Sequence, residues 1–283
     1  MKALTLLIIC TFVPFDLHSQ LLSEANLKVA LSEYSKSLRS EDFNKRYEAA
    51  KQLRQYKLHE LGPDIVNEVI SLYETEMKKK KLFNMYAERP GKLEDKVPNE
   101  LLYLNSEEFA QYKGFLSEIL AKTEDPTAMR LLIDHYLDER LIINFGAAAI
   151  DPVLNVLKRS QGLMRRASAL MTLSYFLQEK AEGFTAQARD RDKILAAILD
   201  TAVSDPEFIL RVEAAKALGK SGDASCLKAL ESIAKNDPYH FTTKAILGVD
   251  EGAQPGQEVT RYPVRIAARK AIEDIKTRNK ING

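Results

Sequence analysis

Four times along the chain an arginine is followed three residues later by alanine and seven residues later by an aliphatic residue. The sets are Arg46/Ala49/Leu53, Arg166/Ala169/Leu173, Arg211/Ala214/Leu218 and Arg265/Ala268/Ile272. A unit that recurs in this way is the signature of stacked helical repeats, each burying its apolar face against the next. The alanines have a packing reason, because stacked helix pairs approach closely and a larger side chain there would overpack the layer. A charged group beside such a core needs partners. Arg46, Arg166, Arg211 and Arg265 are therefore read as structural repeat positions. Each is expected to reach a carboxylate or free helix-end carbonyls of a neighbouring unit.

The clearest unit runs from Ser204 to Asp237. Asp205 is placed to cap a helix opened by Pro206, whose missing N–H is harmless in a first turn. Leu210, Ala214, Ala217 and Leu218 then form one apolar stripe at i, i+4, i+7, i+8. Gly219 and Gly222 suit a left-handed helix end. Asp223 caps a second helix with Leu227, Leu230 and Ala234 on one face, and Asp237-Pro238 starts the cycle again. Asp205-Pro206, Arg211, Ala214, Ala215, Ala217, Leu218, Gly219, Gly222-Asp223 and Leu227 resemble HEAT repeats, in particular the short bacterial kind first noted in phycobilin lyases. The residues around Arg265 and Arg46 match that pattern in part. The resemblance implies an all-α fold, an α-α superhelix: a right-handed HEAT/ARM-like solenoid of helix pairs.

Elsewhere the pattern is looser. Ser23 caps a helix with Leu27, Leu31 and Leu38; Pro63 opens another with Val66, Val69 and Tyr73; Ser106 starts one with Phe109, Tyr112 and Leu116. Asp125-Pro126 begins a helix predicted to reach about Arg140, paired with one from Gly146 to Lys158. Segments 162–179 and 190–203 make the next pair. Two stretches break the rhythm. Residues 84–105 hold Pro90-Gly91 and Pro98 and read as a linker or a lid, and residues 239–262 hold three glycines and Pro255. Insertions in repeat arrays project as loops on one face, often the binding face. Tyr239, His240, Phe241, Arg261 and Tyr262, at the roots of the second insertion, form the candidate protein interface, being rich in the residue types that dominate interface hot spots.

The first 19 residues read as a signal peptide, with Lys2, an apolar run from Ala3 to Phe15 and a small residue at Ser19. That run is too short to span a bilayer core, which takes about 20 apolar residues. Residues 20–283 are then the helical-repeat domain of an exported, periplasmic or extracellular protein, with no stable membrane insertion of the mature chain. Of the two cysteines, only Cys226 remains beyond that leader, so no internal disulfide is available to the mature fold. A net charge of +1 gives no field for nucleic acid. His59, His135 and His240 lack metal-ligand spacing, and no phosphate loop or nucleophile elbow occurs. The Lys78–Lys81 run reads as a solvated helix end. The expectation is a non-enzymatic scaffold or adaptor for another envelope protein, with no cofactor, metal or catalytic residue. The competing class, a lyase-like or chromophore-handling enzyme, comes from the repeat resemblance alone.

Overall fold

The computed structural model describes residues 24–178, 187–245, 254 and 256–281. The leader, the Ser23 cap and most of the tip of the 239–262 insertion lie outside the described residues. The chain divides into two compact units, one ending at Ile119 and the other running from Leu120.

The first unit holds α1 (Glu24–Leu38), α2 (Phe43–Leu53), α3 (Leu58–Ala87) and α4 (Leu93–Lys96), with α5 (Glu107–Ala121) ending just beyond its boundary. Asp42 caps α2 by accepting from the Asn44 N–H at 2.9 Å. Pro63 opens the long part of α3 after a break at Gly62. Leu38, Ala50, Leu53, Val69, Tyr73, Tyr112 and Leu116 are buried and form the core. Residues 84–105 are part of this body. α3 continues to Ala87, and residues 99–105 form 3-10 turns packed on α3 with Leu101 and Leu104 buried. The apolar side chains Val97, Leu101 and Leu104 explain why the stretch is neither linker nor free lid. The lysine run consequently lies in mid-helix. Lys79 pairs with Glu76 at 3.4 Å and Lys80 donates to the Leu104 carbonyl at 2.8 Å.

The second unit holds α6 (Pro126–His135), α7 (Glu139–Ile142), α8 (Ile150–Arg159), α9 (Leu163–Phe176), α10 (Ala188–Ser204), α11 (Phe208–Ser221), α12 (Leu227–Asn236), the strands β1 (Phe241–Lys244) and β2 (Glu258–Arg261), and α13 (Pro263–Ile281). Neighbour packing sorts these helices into two layers. α7, α9, α11 and α13 lie side by side in one, and α6, α8, α10 and α12 in the other. The described residues are thus an all-α helical-repeat fold with one two-stranded ribbon.

Several helix limits differ from the sequence pattern for local reasons. α6 stops at His135 because Tyr136 leaves helical backbone (φ −153°, ψ 70°), and Asp138 then caps the separate α7. α8 starts at Ile150 because Gly146 sits at φ 55°, ψ −139°, a conformation that suits glycine alone. The stretch 139–159 is apolar and long enough to cross a membrane, with mean hydropathy 1.4. The break at Gly146 interrupts it, and Ile142, Ile150, Val153 and Leu157 are buried inside the unit. α11 starts at Phe208 rather than Pro206, since the Asp205 carboxylate accepts the Glu207 N–H at 3.0 Å while the chain is still extended. Gly219 lies within α11 and Gly222 has φ −73°, so neither is a left-handed cap. Asp237-Pro238 leads into the ribbon instead of a helix, with β1 and β2 antiparallel and Phe241 opposite Arg261.

Candidate functional site

The four repeat arginines have different surroundings. In the second unit they build a ladder. Arg166 pairs with the Asp205 carboxylate and donates from Nε to the Leu157 carbonyl at 2.9 Å. The Asp205 carbonyl accepts Arg211 Nη1 at 2.7 Å, and Arg211 Nε donates to Asp237 Oδ2 at 2.8 Å. The Asp237 carbonyl in turn accepts Arg265 Nε at 2.7 Å. Each aspartate therefore joins two successive arginines, one through its side chain and one through its backbone. Arg265 lies 28 residues beyond Asp237 because the ribbon is inserted there, yet the contact matches that of Arg211 with Asp205. Arg211, Asp205 and Asp237 are each no more than 8 % exposed. Their charges are spent on one another.

Arg46, in the first unit, donates to the Ser40 and Glu41 carbonyls at 2.8 and 2.9 Å and lies 3.4 Å from Glu76 Oε1. These groups line a cleft of about 500 Å³, together with Arg39, Glu68 and Thr75. Tyr103 donates to Glu76 Oε2 at 2.6 Å. Burial, then the Glu76 hydrogen bond and charge, push the Tyr103 phenol well above its ordinary value near 10, and burial does the same to Tyr112. A raised folded-state pKa adds stability that is fully present below the unfolded value near 10 and is lost as pH rises toward the folded value. An alkaline titration followed by phenolate absorbance should therefore show at least two phenols, Tyr103 and Tyr112, ionising only as the first unit unfolds. Tyr103→Phe should remove one of them. Titration of every tyrosine near pH 10 with circular dichroism unchanged would count against this arrangement.

The five candidate interface residues do not share one environment. Tyr239 stacks on Phe208 with ring centroids 3.8 Å apart and planes 7° from parallel, fastening the ribbon to α11. Tyr262 lies under the Arg265 guanidinium at 4.3 Å and beside His240. His240 is exposed, with Nδ1 3.1 Å from the Pro238 carbonyl. Phe241 and Arg261 do reach a cleft, of about 440 Å³, whose other lining residues are Val212, Lys216, Pro263, Ile266, Ala267 and Lys270.

This cleft belongs to a larger face that the sequence pattern did not single out. Counted from each repeat arginine, Met164, Ile209 and Pro263 stand two residues before it, and Ala167, Val212 and Ile266 one after. Met171, Lys216 and Lys270 stand five after. That i, i+3, i+7 spacing puts them on one side of α9, α11 and α13. Met164 is 78 % exposed, Met171 55 %, Ile209 42 %, Ile266 55 % and Phe241 41 %. A single exposed apolar side chain is ordinary, but here several stand on adjacent helices of one layer. The available signal was an aliphatic residue directly after the arginine in two repeats.

Among the described residues no group of three or more His, Cys, Asp or Glu is placed to hold a metal ion. Cys226 is a free, buried thiol. Residues 210–236 match the family model described as a PBS lyase HEAT-like repeat. No curated protein matches the chain. The matched segment covers α11 from Leu210, the turn at Gly222-Asp223 and α12.

Proposed function

We propose that this chain, a protein carrying a HEAT-like repeat, is an exported, non-enzymatic scaffold that binds another protein of the cell envelope through the exposed side of α9, α11 and α13. The observation that carries the reading is the set of exposed apolar side chains, Met164, Met171, Ile209 and Ile266, on one side of adjacent helices. Repeat arrays present extended surfaces of this kind to partners. Export rests on the amino-terminal pattern. Two observations support a binding role over catalysis. The matched repeat contributes Arg211, held in the ladder, and the buried Cys226. In the first-unit cleft Glu76 is already engaged by Arg46, Lys79 and Tyr103, leaving it poorly placed as a base.

The test is a photoreactive amino acid placed at Ile266 or, as control, at exposed Lys228 on α12, in protein expressed in its native host. Position 266 is expected to give one discrete protein adduct and position 228 none. The recovered chain should begin near Gln20. The same adducts from both positions would remove the docking face, and an intact Met1 on most molecules would remove export.

A further inference from the structure

We infer that the cleft between α11, the ribbon and α13 is a socket for an apolar segment flanked by carboxylates on the partner protein, an assignment that rests on the docking reading of this face. The cleft, about 440 Å³, has room for a few side chains and not for a folded element. Its apolar lining includes Val212, Phe241 and Ile266. Its polar lining is Lys216, Arg261 and Lys270, and among the described residues no carboxylate lines it.

The three cations converge from three elements. Lys216 and Lys270 occupy the same repeat position on adjacent helices, and Arg261 reaches in from β2 opposite Phe241. Each lysine has an acid on its own helix: Glu213 lies 2.8 Å from Lys216, and Glu273 and Asp274 lie 3.2 and 3.0 Å from Lys270. Those acids are outside the lining, so an occupant of the cleft meets the cationic side of each pair. A basic segment would meet like charge there, and a neutral one would gain from the apolar lining alone. Rim charges of this kind select partners and speed encounter more than they add affinity. The anchor is apolar and the selection is for negative charge.

The experiment is selection of a random peptide library displayed on phage against the immobilised full chain, counter-selected on the Ile266→Asp variant. Selected peptides are expected to carry an aromatic or aliphatic residue with Asp or Glu within a few positions. Exchanging those acids for Lys should weaken binding by about tenfold, and the Lys216→Glu/Lys270→Glu variant should reverse that preference. Ile266 is over half exposed, so its replacement should leave thermal unfolding unchanged, which is checked in parallel. Ile266-dependent peptides without acidic bias would overturn this inference while leaving the docking face in place. A library yielding no Ile266-dependent peptide would overturn both. A concentration-dependent dimer in sedimentation, dissociated by Ile266→Asp, would overturn the inference by making a second copy the occupant.

Discussion

Replacing Asp237 with alanine is expected to destabilise the second unit by about 3–5 kcal/mol, the cost of leaving a buried charge without its partner. Asp237 is 7 % exposed and holds Arg211 by two hydrogen bonds, at 2.8 and 3.3 Å, while also accepting the Tyr239 N–H at 3.0 Å. Truncation leaves the buried Arg211 guanidinium without its carboxylate. The Arg211→Leu/Asp237→Ala double variant should lose less than the sum of the single losses, because removing both partners leaves no orphaned charge. Asp151→Ala is the control. Its ion pair with Lys193 is largely solvent-exposed, so the loss should stay below about 1 kcal/mol. Urea unfolding combined with hydrogen exchange of α11 and α13 amides reads the difference. Equal, small losses at both positions would mean that the ladder does not hold the stack.

Two glycines inside helices should respond with opposite signs. A Cβ added at Gly219 would stand 3.0 Å from the Ala271 Cα and 3.2 Å from its Cβ, so α13 would have to retreat. Gly219→Leu is expected to cost about 1–3 kcal/mol through overpacking. A Cβ at Gly114 in α5 meets nothing within 4 Å. Gly114→Ala should therefore stabilise by about 0.5–1 kcal/mol, the usual helix preference of alanine over glycine. Thermal unfolding of both variants against the parent decides the matter. Stabilisation by both would show that α11 and α13 do not approach as closely as described.

The glycine contrast also shows what kind of information a sequence carries. Gly219 and Gly222 look alike as helix-ending residues, since local propensity describes a residue's own backbone. The role of Gly219 depends on Ala271, 52 residues away, and no local pattern reports that. The same holds at 84–105, where Pro90-Gly91 and mixed charge suggested a linker. Leu101 and Leu104 had only to find α3 for those side chains to join the core. At the candidate interface, residue type and a place at the roots of the insertion grouped Tyr239, His240, Phe241, Arg261 and Tyr262. Stacking on Phe208 then drew Tyr239 into the fold, and only Phe241 and Arg261 line the cleft.

What the sequence by itself determined was the repeat. Arginine, alanine and aliphatic residues at fixed spacing specify a helix with one close-packed face, and the matched HEAT-like segment at 210–236 lies on the clearest copy. Helical periodicity is local, so it survives in one dimension. Only the tertiary structure decided which carboxylates complete the arginine ladder, which glycine serves close approach, and that Met164, Ile209 and Ile266 share an exposed face. Those properties depend on which helix lies beside which. Packing between helices distant in sequence sets them, through contacts that no spacing along the chain encodes.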